Sequence, residues 1–121
     1  MAWGETRDRL ACLTREITIA GGGLAGLSLA VALRGRGVPV TVLEAGAYPR
    51  HRVCGEFISG VSLETLEFLG IQDDFADARR HRSLCWYENE NVLHRDTMPE
   101  PALGISRFVL DERLRRRVES L

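Results

Sequence analysis

Hydrophobic and polar positions change their spacing along the chain, and each change predicts a new element. Residues 17–20 form a short apolar run that stops at three glycines, as a buried parallel strand does. Over residues 24–36 the apolar positions recur at helical spacing, and Gly37 follows as the predicted terminator. Residues 38–44 are rich in β-branched side chains and predict a second strand. Together these elements predict a βαβ unit.

The middle and the end of the chain predict a loop followed by helices. Residues 45–58 lack periodicity and predict a loop, whereas residues 59–69 and 71–78 predict two helices. Apolar residues at four-residue spacing predict a last helix over residues 110–121. Its basic stretch, residues 113–117, is interpreted as the solvated face of that helix.

A hairpin is predicted between these helical regions. Residues 83–87 and 91–96 can pair across the polar turn at 88–90. Pro99 and Pro101 are expected to break the chain after the second strand. The pattern as a whole predicts an α/β fold with residues 1–15 as a polar lead-in and residues 16–121 as one domain.

Composition and charge narrow the classes of partner. The chain has 121 residues, 16 basic against 17 acidic, and a formal charge of -1, so no overall basic field favours nucleic acid. No apolar run approaches the roughly 20 residues that span a bilayer. Three cysteines without metal-ligand spacing predict neither a disulfide framework nor a metal site, and the expected location is the cytoplasm.

The glycine run has the spacing of a dinucleotide-binding turn. Gly21, Gly23 and Gly26 fit G-x-G-x-x-G, and they follow a predicted strand and open a predicted helix. Gly21 permits the tight turn, Gly23 allows the backbone to approach a pyrophosphate, and Gly26 allows close packing of helix on strand. Glu44 lies 18 residues after Gly26, where a carboxylate accepts hydrogen bonds from ribose hydroxyls and repels a 2′-phosphate. The alternative is a tight turn followed by a solvated strand-end charge.

The sequence also resembles a known group of flavoproteins. GGGLAGLSLAVALRGRGVPVTVLEAG is similar to the opening of FAD-dependent oxidoreductases with the glutathione-reductase-type fold. PRHRVCGEFISGVSLETLEFLGI and GISRFVLDERL resemble the geranylgeranyl-reductase-like branch of the para-hydroxybenzoate-hydroxylase superfamily. The resemblance implies a Rossmann-like FAD/NAD(P)-binding domain with a small β-hairpin insertion. It also implies that this domain is incomplete here.

The resemblance assigns residues to parts of FAD. It implies that Ala25 and Glu44 contact the adenosine portion. Arg52, Cys54 and Gly55 would lie along the diphosphate and the ribityl chain near the flavin. These assignments join the three glycines of the turn as the predicted cofactor-binding residues.

The basic residues of the predicted site rest on two different arguments, the family resemblance and the charge of the diphosphate. Arg107 owes its implied place, at the ribityl or phosphate region, to the resemblance alone. The loop with Arg50, His51 and Arg52 puts cations beside a dianionic diphosphate, although a solvated basic loop is the alternative. Cys54 has no CxxC partner, which favours a small packed residue over a redox thiol.

Three functions remain open at the level of sequence. The first is an FAD-dependent reductase or monooxygenase, with NAD(P)H as electron donor and a small hydrophobic substrate. The second is an NAD-binding dehydrogenase domain, since Glu44 suits NAD equally well. The third is an inactive truncated module, because the family's later Gly-Asp motif and substrate domain are absent from these 121 residues. No catalytic acid, base or nucleophile is assigned, and the isolated chain is expected to fold poorly, aggregate or need a complementary chain.

Overall fold

A computed structural model describes residues 15–54 and 56–121. Most of the predicted lead-in and Gly55 therefore lie outside the described residues. A 3₁₀ turn at Gln72–Phe75 lies between the second helix and the fourth strand. In chain order the regular elements are β1 (Ile17–Ala20), α1 (Leu24–Arg34), β2 (Val40–Leu43), β3 (Phe57–Ile58), α2 (Leu63–Leu69), β4 (Arg79–Glu88), β5 (Asn91–Gly104) and α3 (Arg107–Ser120).

The predicted βαβ unit is confirmed, with shorter elements. β1 and β2 pair in parallel from Ile17 opposite Val40 to Ala20 opposite Leu43. α1 ends two residues before the predicted limit because Gly35 occupies the C-cap position. β2 starts later than predicted, since the Val38 N–H still donates to the Leu33 carbonyl in the turn that follows the helix.

The region after β2 departs from the prediction in three places. The predicted loop over residues 45–58 ends in the two-residue strand β3, which pairs antiparallel with β5. α2 starts at Leu63, later than predicted, because Gly60 has a φ of +70° and the Ser62 hydroxyl accepts the Thr65 N–H as an N-cap. The helix predicted over residues 71–78 is the 3₁₀ turn alone.

The hairpin is confirmed and longer than predicted, but the prediction that two prolines break the chain is wrong. β5 runs through Pro99 and Pro101. Its register slips there, so residues 98–101 lie opposite Arg82 alone, between the pairs Ser83–Thr97 and His81–Ala102. Such a bulge has residues without ladder hydrogen bonds, and proline is tolerated in it because proline has no N–H to donate.

The core lies between the three helices, the 3₁₀ turn and the end of β5. Leu110 and Leu114 of α3 are fully buried, and Val118 packs against the same core, so the predicted apolar stripe is confirmed. α3 begins at Arg107, three residues before the predicted start. The main cluster consists of nine buried side chains: Leu27, Val31, Leu66, Ile71, Phe75, Leu103, Ile105, Leu110 and Leu114.

The basic stretch of α3 is not the solvated face that the sequence predicts. The Arg113 guanidinium donates to both carboxylate oxygens of Asp77, at 2.6 and 2.7 Å. Arg117 forms an ion pair with Asp74, with Nε and Oδ2 2.7 Å apart. These contacts attach α3 to the 3₁₀ turn and the residues after it. Arg115 instead pairs with Glu112 of the same helix, at 2.8 Å, and Arg116 is largely exposed.

Apolar side chains also remain at the surface. Leu29 of α1, Leu43 of β2 and Phe68 of α2 are each about half exposed. Within the described residues the parallel sheet has two strands, fewer than the larger parallel sheets whose two faces are covered by helices. In the described ranges, no helix has both the length and the apolar character needed to cross a membrane.

Candidate functional site: the glycine turn and the ion-pair cluster beside it

The turn between β1 and α1 depends on two of its glycines. Gly21 has a φ of +107°, a conformation that residues with a side chain rarely adopt, and its N–H donates to the Leu43 carbonyl at 2.7 Å. A Cβ on Gly26 would lie 1.9 Å from the Gly21 carbonyl oxygen. The first turn of α1 therefore packs directly on the strand-to-helix turn, and glycine is required at both positions.

The amino-terminal end of α1 is open. Gly23 is the N-cap residue, and no side chain caps the helix within the described residues. The N–H groups of Gly23, Leu24 and Ala25 have no acceptor in that part of the chain. A Cβ on Gly23 would meet nothing nearer than the Arg107 Nη2 atom, 4.0 Å away. The helix start thus faces a gap that Arg107 bounds on the other side, with free donors and the positive end of the helix dipole directed at it.

Glu44 lies beside this gap and is held in the charged form. Its Oε2 accepts the Gly22 N–H at 2.9 Å, and its Oε1 accepts the Gly46 N–H at 2.9 Å and an Arg50 N–H at 2.7 Å. Arg52 lies farther away, with Nη2 3.5 Å from Oε2. The Gly46 amide, followed by the Arg50 guanidinium, lowers the pKa of Glu44 to about 2. The carboxylate is therefore ionised at neutral pH, and all of its lone-pair directions have donors.

A second carboxylate joins the loop after β2 to α3. Asp111 is fully buried and accepts from Arg107 through Nε at 2.8 Å and Nη2 at 3.0 Å. Arg52 donates to the same carboxylate from Nε at 3.0 Å. The hydrogen bonds to Asp111 raise the pKa of Arg107 above its ordinary value. Asp111 thus holds two guanidinium groups, predicted separately as site residues, in one cluster with Glu44.

The rest of the basic loop also makes contacts, so it is not a freely solvated segment. Arg50 is half-buried against Glu44, and the His51 ring stacks on Phe108 with centroids 4.8 Å apart. Cys54 is exposed, and its Sγ accepts the Glu56 N–H at 3.4 Å. The Cys54 side chain also interacts with the Arg107 guanidinium, so the thiol lies near the cluster although it is exposed.

The structure brings together Glu44, Arg52, Arg107 and the glycine turn. Ala25 is exposed on the first turn of α1, and Gly55 falls outside the described residues.

Two residues of the site were missed by the sequence reasoning. Asp111 lies four residues after Arg107, a helical spacing that places an acid beside a base and could have indicated the pair. Tyr48 donates its hydroxyl proton to the Gly22 carbonyl, in the space over the glycine turn. Burial, followed by the nearby charge of Glu44, raises the pKa of Tyr48. No pattern in the sequence indicates this tyrosine, because it lies in a loop without periodicity.

Comparison with known proteins decides the family. The sequence pattern of the FAD binding domain family matches residues 14–118. The chain belongs to this family. Among curated proteins, this FAD-binding domain is similar to the menaquinone reductase of Mycobacterium tuberculosis (strain ATCC 25618 / H37Rv), with 27% identity over 108 residues. That match covers 86% of this chain and 26% of the reductase, so the chain spans about a quarter of this relative.

Solved structures of flavoproteins have the same fold. The tetrameric form of 2-methyl-3-hydroxypyridine-5-carboxylic acid oxygenase matches with a TM-score of 0.76 and 27% identity, over 89% of this chain and 30% of the oxygenase. PqsL of P. aeruginosa, in complex with 2-aminobenzoylacetate, matches with a TM-score of 0.74 over 88% of this chain and 31% of PqsL. Its identity is 17%, so that likeness concerns the fold alone. These matches confirm the predicted α/β FAD-binding fold.

The residues of the gap fit the diphosphate of FAD. Three guanidinium groups, those of Arg50, Arg52 and Arg107, lie among two carboxylates, which leaves one positive charge in excess. The missing side chain at Gly23 leaves room for phosphate oxygens at the helix start. An anion here would meet backbone donors and Arg107 together, which is the arrangement expected of a diphosphate site.

Proposed function

We propose that this FAD-binding domain holds the adenosine diphosphate part of FAD as the amino-terminal portion of a flavin-dependent oxidoreductase. The observation that carries the proposal is the gap between the open start of α1 and Arg107, which lies 4.0 Å from the position of a Cβ on Gly23. The family match to residues 14–118 supports FAD over NAD, the dinucleotide of the alternative dehydrogenase hypothesis. Flavin supplies hydride or electron transfer when it is bound.

In this proposal the backbone and Arg107 bind the diphosphate. The N–H groups of Gly23, Leu24 and Ala25 lie at the open start of α1 and lack acceptors within the described residues. Arg107 is held by two hydrogen bonds to Asp111, so its guanidinium is oriented before a ligand arrives. Gly21 and Gly26 act indirectly, because they allow the turn that places those amides.

Glu44 is proposed to bind the ribose by exchanging donors. Its carboxylate already accepts from two backbone amides and from Arg50, so ribose hydroxyls must displace an existing donor. Arg52 also contacts this carboxylate, at 3.5 Å. This is the longest of its contacts with donors, and we expect a ribose hydroxyl to displace it first. Arg52 remains attached to Asp111 and can then turn its free N–H groups toward a phosphate. Arg52, Cys54 and Gly55 are proposed to follow the cofactor toward the flavin.

The remaining parts of the proposal concern the whole reaction. NAD(P)H is the proposed electron donor, because nicotinamides transfer hydride to flavins. The proposed substrate is a small hydrophobic molecule that is reduced or monooxygenated. A menaquinone reductase and a pyridine-carboxylic acid oxygenase among the similar proteins support both kinds of chemistry equally. The cytoplasm is the proposed location, because the three cysteines lack a framework pattern.

Calorimetric titration of the chain with four nucleotides tests this proposal. ADP and FAD are both expected to bind, because the glycine turn, Arg107 and Glu44 are proposed to contact the adenosine diphosphate part that the two ligands share. NADP is expected to bind most weakly, since its 2′-phosphate would approach the ionised Glu44. NAD binding that is tighter than FAD binding would favour the dehydrogenase alternative. Loss of flavin absorbance at about 450 nm on anaerobic addition of NAD(P)H tests the electron donor.

A further inference from the structure

We propose that the outer edge of β4 pairs with the same edge of a second copy of this chain, as an antiparallel dimer centred on Leu84. β4 is the last strand in the order β3-β5-β4, so its outer edge has no partner strand among residues 15–54 and 56–121. The strand is ten residues long, and every residue in it except Leu84 is classed as exposed. An unpaired edge of this length is a template for another strand.

β4 is also a regular strand, which pairing requires. The register between β4 and β5 slips twice, near Arg82 and after Trp86. In both places the extra residues belong to β5: residues 98–101 in the first slip and Leu93 in the second. β4 itself therefore keeps unbroken alternation, and it contains none of the bulges or prolines that protect natural sheet edges.

The sequence of β4 is complementary to itself in one antiparallel register. A two-fold axis normal to the sheet requires that paired residues share a face, and an axis through Leu84 meets that condition. Arg80 then lies opposite the second copy's Glu88, and Leu84 lies opposite itself. Within the described residues, Arg80 and Glu88 have no ion-pair partner of their own. The dimer would contain two such ion pairs, one on each side of the axis.

The contacts of Arg82 favour the register centred on Leu84 over the register centred on the next residue, Cys85. An axis through Cys85 would place Arg82 opposite Glu88, but the Arg82 guanidinium already donates to the Pro99 carbonyl at 2.6 Å. That register also pairs fewer residues of the strand, because its centre lies closer to the end of β4. The register centred on Leu84 instead pairs Arg80, which has no ion-pair partner of its own within the described residues, and it includes more residues of β4.

A charge exchange tests the proposal through the dissociation constant of the dimer, measured by sedimentation velocity. Glu88→Arg places two arginines opposite each other twice per dimer, and we expect it to weaken the dimer by about tenfold. The double variant Arg80→Glu/Glu88→Arg reverses both partners and is expected to restore wild-type association. Glu90→Arg, in the adjacent turn, makes the same charge change outside the paired residues and serves as the control. A wild-type chain that is monomeric at all concentrations, or a dimer indifferent to Glu88→Arg, would overturn the proposal.

Disulfide trapping tests the register independently of affinity. In a background with serine at the three native cysteines, Leu84→Cys is expected to form a disulfide-linked dimer on mild oxidation. Residues directly opposite each other have Cα atoms about 4.5–5.5 Å apart, within the range of a disulfide. Tyr87→Cys is the matched control, because Tyr87 and its copy would lie about 20 Å apart along the strands. Equal crosslinking of the two variants would contradict the register.

Discussion

Replacing Gly26 by alanine is predicted to destabilise the domain by forcing α1 away from the turn on which it packs. The added Cβ would lie 1.9 Å from the Gly21 carbonyl oxygen and 3.2 Å from Ile19 Cγ2. An ordinary non-bonded contact is about 3.5 Å, so α1 must move by about 1.5 Å relative to β1. The atom it meets belongs to the backbone of a turn at φ +107°, which has little freedom to relax. Overpacking of this kind costs about 1–3 kcal/mol.

Urea denaturation followed by circular dichroism measures the effect, with an osmolyte present to favour the folded state. With a denaturant dependence of about 1 kcal/mol/M, a loss of about 2 kcal/mol lowers the midpoint by about 2 M. Gly23→Ala is the matched control: its backbone is extended, at φ -82° and ψ -171°, and its Cβ would have no neighbour closer than 4.0 Å. We expect its midpoint to equal that of the wild type. Equal midpoints for wild type and Gly26→Ala, or an equal fall for both variants, would refute the reasoning.

Three further predictions follow from the ion-pair cluster and the exposed surface. Asp111→Asn leaves the guanidinium groups of Arg52 and Arg107 without their buried carboxylate. It is expected to lower the free energy of unfolding by about 3 kcal/mol in the same urea titration. The control Glu119→Gln, at the exposed end of α3, is expected to change it little. The depressed pKa of Glu44 means that its stabilising contribution is complete above about pH 4.5 and is lost as the pH falls through about 2. The difference in urea midpoint between wild type and Glu44→Gln, measured with the osmolyte present, should therefore shrink as the pH falls from about 4.5 to about 2, and a difference that is constant with pH would count against the assignment. Without FAD and without osmolyte, the isolated monomer is expected to lack a cooperative thermal transition, because apolar side chains such as Leu43 remain exposed. A sharp calorimetric melt of the monomer in that buffer would contradict this.

Much of the first half of the fold follows from sequence because its signals are local. The β-branched runs and the glycine turn specify β1, α1 and β2 through their own backbone preferences. The predicted helix limits are wrong where a capping residue determines them. Ser62 caps the start of α2, and Gly35 caps the end of α1. Periodicity alone carries no information about caps.

The second half depended on contacts that the sequence does not show. β5 tolerates Pro99 because a register slip removes the ladder hydrogen bond there, and that slip depends on the partner strand. The arginines of α3 read as a solvated face because their partners Asp74 and Asp77 lie in a distant segment. Likewise, the spacing rule indicated Glu44 and the family resemblance indicated Arg107. The carboxylate of Asp111 that orients the arginine became visible only in three dimensions.

The affinity of Gly23→Ala for FAD tests the central claim most directly. If the diphosphate binds between the start of α1 and Arg107, a methyl group at Gly23 enters the space that the phosphate oxygens occupy. Quenching of FAD fluorescence should then show an affinity reduced by about tenfold or more, which corresponds to about 1.4 kcal/mol, with the circular dichroism spectrum unchanged. Equal affinities of wild type and Gly23→Ala for FAD would contradict the account.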